Sequence, residues 1–111
     1  MAVLHTDNNG VSAISIDDDG SIGHEYRIKT EDHQLLGFVS FQNGSVKKNG
    51  VNGITNEALL AILIHRLRYL NEQFSCEEND IAIRNIEIAL QVLEIRTRDR
   101  MHRGVEGVET A

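Results

Sequence analysis

Two groups of residues combine types and spacings that could do chemistry. The first is Gln42-Asn43-Gly44 followed by Lys47-Lys48-Asn49-Gly50-Val51-Asn52-Gly53-Ile54, with four glycines between positions 37 and 53. Glycine permits positive φ and close backbone approach, so the run can serve as a ligand loop with bare backbone amides. On composition alone the leading reading is two tight turns joining strands, because Asn-Gly is a strong turn signal. Its spacing matches neither the phosphate-binding P-loop nor the dinucleotide fingerprint. The second group is cationic. Arg96, Arg98, Arg100 and Arg103 fall in the last two turns of an expected helix. They either complement the helix dipole on a solvated face or form a cluster that meets phosphates. Arg66 lies three, four and seven residues after Leu63, Ile62 and Leu59, on an apolar side. An arginine buried there needs a counter-charge.

No catalytic or metal-ligating set emerges beside these. His5, His24, His33, His65 and His102 include no pair at helical i+3 or i+4 spacing, so no helix-borne zinc motif is present. Asp17-Asp18-Asp19-Gly20 lacks the alternation of a calcium loop. Cys76 stands at an expected helix N-terminus beside Glu77 and Glu78, which oppose a thiolate, so a structural role is expected. No nucleophile elbow occurs. The expectation is a protein with no enzymatic activity, no metal and no cofactor.

The elements that must position these residues read as α+β. Val11 to Ile16 alternates like a strand, Asp17–Gly20 reads as a turn, and Ser21 to Ile28 can pair back as a hairpin. A flexible acidic arm over residues 1–24 is the alternative. Leu35 to Phe41 reads as a strand closed by Gln42-Asn43-Gly44. The spacing predicts a helix over 55–73 with Thr55 as N-cap. Ser75-Cys76-Glu77-Glu78 reads as a capping box with Ser75 as N-cap, opening a second helix to about Arg103, with Gly104 as its stop. In that helix Ala82, Ile86, Ala89 and Leu93 form one apolar stripe with Ile83 and Leu90 beside it; Ile81, Ile88, Val92 and Ile95 form another. The short connection makes the helices an antiparallel hairpin. Both carry more apolar surface than one hairpin hides, so a homodimer forming a four-helix bundle is expected. The organisation is thus residues 1–24 as arm or hairpin, 25–105 as sheet plus helical hairpin, and 106–111 as tail.

Composition bounds the partners. The 111 residues carry a formal net charge of −6 and make one small domain. Residues 1–35 hold seven acids against two bases, whereas residues 36–105 hold eight acids against nine bases, leaving room for a cationic pocket. The net charge and an aromatic content of 5% weigh against DNA or RNA as partner. A single cysteine excludes an internal disulfide and a cysteine-built zinc site within one chain. No apolar run approaches membrane-spanning length and no signal peptide is read, so a soluble cytoplasmic protein is expected.

The blocks Gly37-Phe38-Val39-Ser40-Phe41-Gln42-Asn43-Gly44 and Asn49-Gly50-Val51-Asn52-Gly53-Ile54-Thr55-Asn56-Glu57-Ala58-Leu59-Leu60, with Ile64-His65-Arg66-Leu67 and Arg96-Thr97-Arg98-Asp99-Arg100, complete the reading. Over about residues 33–107 the chain resembles the hairpin-domain phage anti-defence proteins, specifically the first described Thoeris anti-defence family, related to anti-CBASS sponges. Ser45 stands where a proline often follows the glycine, which would loosen the loop, and His65 stands where an acid often precedes Arg-Leu. The resemblance implies a small antiparallel sheet before two long helices, dimers and often hexamers, and a place in the cytoplasm of an infected bacterial host. It implies a sponge that binds cyclic nucleotide second messengers without cleaving them: cyclic ADP-ribose isomers, and in some members cyclic di- or trinucleotides. The implied ligand-binding residues are Phe41, Gln42, Gly44, Asn49, Gly50, Val51, Asn52, Gly53, Arg66 and Arg68. Phe41 would stack on the base, Gly44, Gly50 and Gly53 would let amides approach phosphate, Asn52 would read a ribose hydroxyl or base edge, and the arginines would pair with phosphates. Arg84, Arg96, Thr97 and Arg100 are the candidates for a second site. The competing expectation is a homo-oligomeric structural or adaptor protein that binds another protein through its helix faces.

Overall fold

A computed structural model describes residues 2–16 and 23–102, and the chain divides into two compact units at the Ile54–Thr55 boundary. The first unit is a four-stranded antiparallel meander in the order β1-β2-β3-β4: β1 (Ala2–Thr6), β2 (Ser12–Ile16), β3 (Glu25–Lys29) and β4 (Leu35–Ser40). The expected strand at 11–16 and its hairpin return are present. Residues 2–16 are therefore not an arm: β1, unread in the sequence, pairs with β2. The Asp17–Gly20 turn lies outside the described residues. At the β1–β2 turn, the Asp7 carboxylate accepts from the amides of Asn9 and Val11. Gly10 takes the positive φ such a turn requires.

Register assigns the two faces of the sheet. Ala2, Ser15, Tyr26 and Val39 align across the strands on one face, and Val3, Ile14, Arg27 and Phe38 on the other. Phe41 continues the parity of Val39, which places it on the Tyr26 face. Its ring meets that of Tyr26 edge-on, with centroids 5.8 Å apart.

The second unit is a helical hairpin of α2 (Asn56–Gln73) and α3 (Glu77–His102), preceded in the chain by a one-turn helix, α1 (Val46–Asn49), which belongs to the first unit. Thr55 caps α2 as expected, its hydroxyl accepting from the Ala58 amide at 3.1 Å. The cap of α3 falls one residue later than expected. The Cys76 carbonyl accepts the first helical bond, from Asp80, and its sulfur accepts from the Asn79 amide at 3.4 Å. Asn71 holds this corner by accepting from the Cys76 amide and donating to Asp80. Gly104 and the tail at 106–111 lie outside the described residues.

The helices pack along a seam. On α2 the seam positions are Glu57, Leu60, Ile64, Leu67 and Asn71, with Leu70 covered beside them; on α3 they include Asn79, Ile83, Ile86, Leu90, Leu93, Thr97 and Arg100. Steps of three and four alternate throughout, the seven-residue repeat of coiled-coil packing. Ile64 and Ile83 are its buried centres. Ile83 and Leu90 thus lie in the seam rather than beside it, and Ala89 is exposed. The other stripe, Ile81, Ile88, Val92 and Ile95, faces outward. On α2, Leu59, Ile62 and Tyr69 do the same. Among the described residues no helix is long and apolar enough to cross a membrane.

Candidate functional site

The loop from Gln42 to Gly53 leaves β4 through Phe41, turns at Gly44, forms α1 and returns to a parallel bridge between Phe41 and Ile54. Its neck is closed by two backbone bonds of 2.9 Å, Gln42 N–H to Ile54 carbonyl and Ile54 N–H to Ser40 carbonyl. Ser45 does not loosen the loop. It is buried and caps α1, its hydroxyl accepting from the Lys48 amide. Proline at that position could not supply this side-chain acceptor.

Inside the neck, side-chain amides do the work of strands. Asn52 Oδ1 accepts from the Asn43 amide at 2.8 Å, and Asn52 Nδ2 donates to the Asn43 carbonyl at 2.9 Å. Gln42 Oε1 accepts from the Asn52 amide at 3.0 Å, while its Nε2 donates to the carbonyls of Gly50 and Gly44 at 2.8 and 3.3 Å. Asn49 donates through Nδ2 to the Ser45 carbonyl.

The three loop glycines divide by role. Gly50 has φ 68° and ψ 179°, and its amide donates to the Val46 carbonyl, so that amide is already occupied. Gly53 leaves room for the chain itself, because its Cα faces the backbone of Phe41 and Gln42. Gly44 has φ 81°. Val51 stands at the tip, 81% exposed.

The cations lie on the hairpin. Arg66 is exposed, so the burial that would demand a counter-charge does not arise. Arg68 is paired with Glu87 across the seam at 2.5 Å, at one end of a shallow groove whose rim includes His65, Gln91 and Glu94. Of the second-site candidates, Arg96, Thr97 and Arg100 share one turn of α3. Arg84 stands 12 residues away on the same continuous helix, about 18 Å along its axis, so one chain does not bring it to them. Thr97 and Arg100 are half-buried on the seam side, whereas Arg96 is exposed.

Four residues near these sites went unread in the sequence: Tyr26 beside Phe41, Asn43 as the partner of Asn52, Ser45 as a cap, and Glu87 as the counter-ion of Arg68. Only Ser45 carried a local signal, as a cap-forming residue before a short polar run. The others become partners through strand register or helix pairing.

Residues 37–97 match the Acb2/Tad1 hairpin domain. The chain is also 43% identical over 90 residues to a protein of Bacillus phage SBSphiJ7 named "Thoeris anti-defense 1". That alignment covers 79% of this chain and 63% of the relative, so the chain spans somewhat under two thirds of the relative's length.

Proposed function

Given that the chain belongs to the Acb2/Tad1 hairpin-domain family, we propose that it is a phage anti-defence sponge, which binds cyclic nucleotide immune signals and holds them without cleavage. The observation that carries this reading is the family match itself, because residues 37–97 take in the whole 42–53 loop, all of α2 and most of α3. The ligands proposed are cyclic ADP-ribose isomers made in Thoeris signalling, with cyclic di- or trinucleotides of CBASS as a further class.

The chemistry of each unit suits such ligands. A cyclic ADP-ribose offers an adenine face and two phosphates. Phe41 is only partly covered, and its edge-on contact with Tyr26 fixes the ring angle, which favours stacking by a base. The loop around Gly44, Asn49 and Val51 presents backbone and small side chains to solvent. On α2, Arg66 offers an exposed cation for phosphate, and Arg68 becomes available when Glu87 yields it. On α3, Arg96 offers an exposed cation in the same way, one turn before the half-buried Arg100.

Self-association completes the proposal. The outward stripe on α3 repeats at heptad-compatible spacing on the face opposite the seam, and Leu59, Ile62 and Tyr69 mirror it on α2. Two apolar faces on one helix call for two packing partners. A second copy of the chain meets that need as a dimer, and further copies as a hexamer. The same stripes are the observation that favours the adaptor reading, in which another protein covers them.

Thermal shift against cyclic ADP-ribose isomers and cyclic di- and trinucleotides tests the reading. Binding to the native state alone stabilises it by about 3–4 kcal/mol at 100–1,000 times the dissociation constant. A large shift, with unaltered ligand recovered after heat denaturation, supports the sponge. Recovery of a cleaved ligand makes the protein an enzyme. The absence of a shift with every ligand favours the adaptor.

A further inference from the structure

We propose that Gln42 and Asn52 are positioning residues: their side-chain amides tie the two limbs of the 42–52 loop together, and they set ligand affinity by holding that loop in one shape rather than by touching the ligand. This rests on the reading of the loop as the ligand-binding element.

The geometry is that of a clip. Asn52 engages both the amide and the carbonyl of Asn43, as a neighbouring strand residue would. Gln42 accepts from the Asn52 backbone amide and uses both hydrogens of Nε2 on the carbonyls of Gly44 and Gly50. A primary amide has two donor hydrogens, so the Gln42 donors are fully committed and a ligand contact through them would open the clip. No strand ladder spans residues 43–52; the regular structure there is the single turn of α1. The two side chains therefore supply the cross-links that a sheet would otherwise give. What they present is the Gly50-Val51 tip, where Val51 projects into solvent.

The energetic consequence follows from population. A loop that visits several shapes binds through the fraction that is competent, and apparent affinity falls by that fraction. Such a loss appears in the association rate and is the same for every ligand the loop accepts. A lost ligand contact appears in the dissociation rate and depends on which ligand carries the contacted group.

The test uses the full chain and the variants Asn52→Ala, Gln42→Ala and Asn52→Asp. Amide hydrogen exchange is measured by NMR without ligand, and binding kinetics with a panel of cyclic ADP-ribose isomers. In Asn52→Ala the Asn43 amide exchanges at least about 10-fold faster, while the amides of Leu67 and Leu90 in the hairpin keep their protection. Association slows by about 10-fold for every isomer bound, with dissociation unchanged. In Asn52→Asp a carboxylate oxygen faces the Asn43 carbonyl at neutral pH and the loop opens. As pH falls through the carboxyl range the protonated acid regains a donor, and Asn43 protection relative to wild type returns. Unchanged Asn43 exchange in Asn52→Ala overturns the proposal, as does an affinity loss confined to one isomer and to its dissociation rate. If wild type binds no member of the panel, the sponge reading fails, and the exchange measurement still decides whether these two amides fix the loop.

Discussion

Gly53 passes the backbone of Phe41 so closely that a Cβ at position 53 would lie 2.4 Å from the Phe41 carbonyl carbon and 2.5 Å from its oxygen. Both neighbours are main chain, held by the bridge between Phe41 and Ile54, so neither gives way as a flexible side chain would. Gly53→Ala must push the two segments apart and strain the bonds at the neck of the loop. The expected cost is about 2–3 kcal/mol, the upper part of the overpacking range, read as a lowered denaturant midpoint at unchanged m-value. A variant as stable as wild type would mean that the loop does not return against Phe41 in this way.

Gly50 requires glycine for a different reason. Nothing lies within 4 Å of its missing Cβ, but φ 68° with ψ 179° is a region that residues with a Cβ avoid. Gly50→Ala should cost about 1–3 kcal/mol through backbone strain alone. Gly50→Asn should fare little better, although asparagine rescues many positive-φ positions. Its tolerance is for the left-handed helical well, which has ψ near +47°. Equal stability of Gly50→Asn and wild type in chemical denaturation would overturn this account.

These two glycines illustrate what was legible. The Gly-rich run was readable as either turns or ligand loop, and its residue types did not say which glycine met backbone and which met solvent. That depended on the return of Ile54 to Phe41, thirteen residues on. The helices were more open to reading, because Thr55 and a run of good helix formers act locally. Both stripes of α3 were visible too, yet Ile83 and Ile81 are equally apolar, and only the partner helix selects Ile83 for the seam. The strand β1 was missed because Ala2–Thr6 has no signal beyond its pairing with β2. The clip of Gln42 and Asn52 was invisible for the same reason: ten positions separate two amides that meet only once the neck has closed.

Arg68 and Glu87 make an ion pair that is open to water, with side chains 57% and 37% exposed. An exposed pair contributes at most about 1 kcal/mol and weakens with salt. Glu87→Gln should therefore lower stability by less than about 1 kcal/mol, and less still in 1 M salt. On the proposed function the same change releases the guanidinium, so affinity for cyclic ADP-ribose should rise a few-fold. Calorimetric titration of wild type and variant gives the sign; a fall in affinity would show that Arg68 does not serve phosphate.

The β3–β4 turn carries an acid-sensitive contact. The Thr30 hydroxyl donates to Asp32 and, with the Asp32 backbone amide and the neighbouring His33, holds this carboxyl below the usual aspartate range. A carboxyl depressed in the folded state adds stability that is complete above its unfolded value and disappears as pH falls through its folded value. Thr30→Val removes the leading cause. The difference in stability between Thr30→Val and wild type should thus be present at neutral pH and shrink below the usual carboxylate range. Urea midpoints taken from pH 7 down to pH 2 measure it; a difference constant across that window would assign the effect to the turn rather than to Asp32 ionisation.

The outward stripe of α3 and the seam should respond oppositely to substitution. Val92 is 57% exposed, so Val92→Asp leaves the hairpin intact while placing a charge where a second helix would pack. Ile83 is buried at the seam, so Ile83→Ala should cost about 2–5 kcal/mol through lost packing and a residual cavity. On the proposed self-association, light scattering should find wild type as a dimer or larger and Val92→Asp as a single chain with unchanged far-UV helicity. Burying an unpaired carboxylate in an apolar interface is costly enough to dissociate it, because the charge gains no partner there. Wild-type mass in Val92→Asp would place the self-contact elsewhere. A wild-type protein already monomeric at micromolar concentration would leave the stripe to a different protein, and the adaptor reading would then account for two apolar faces on one helix.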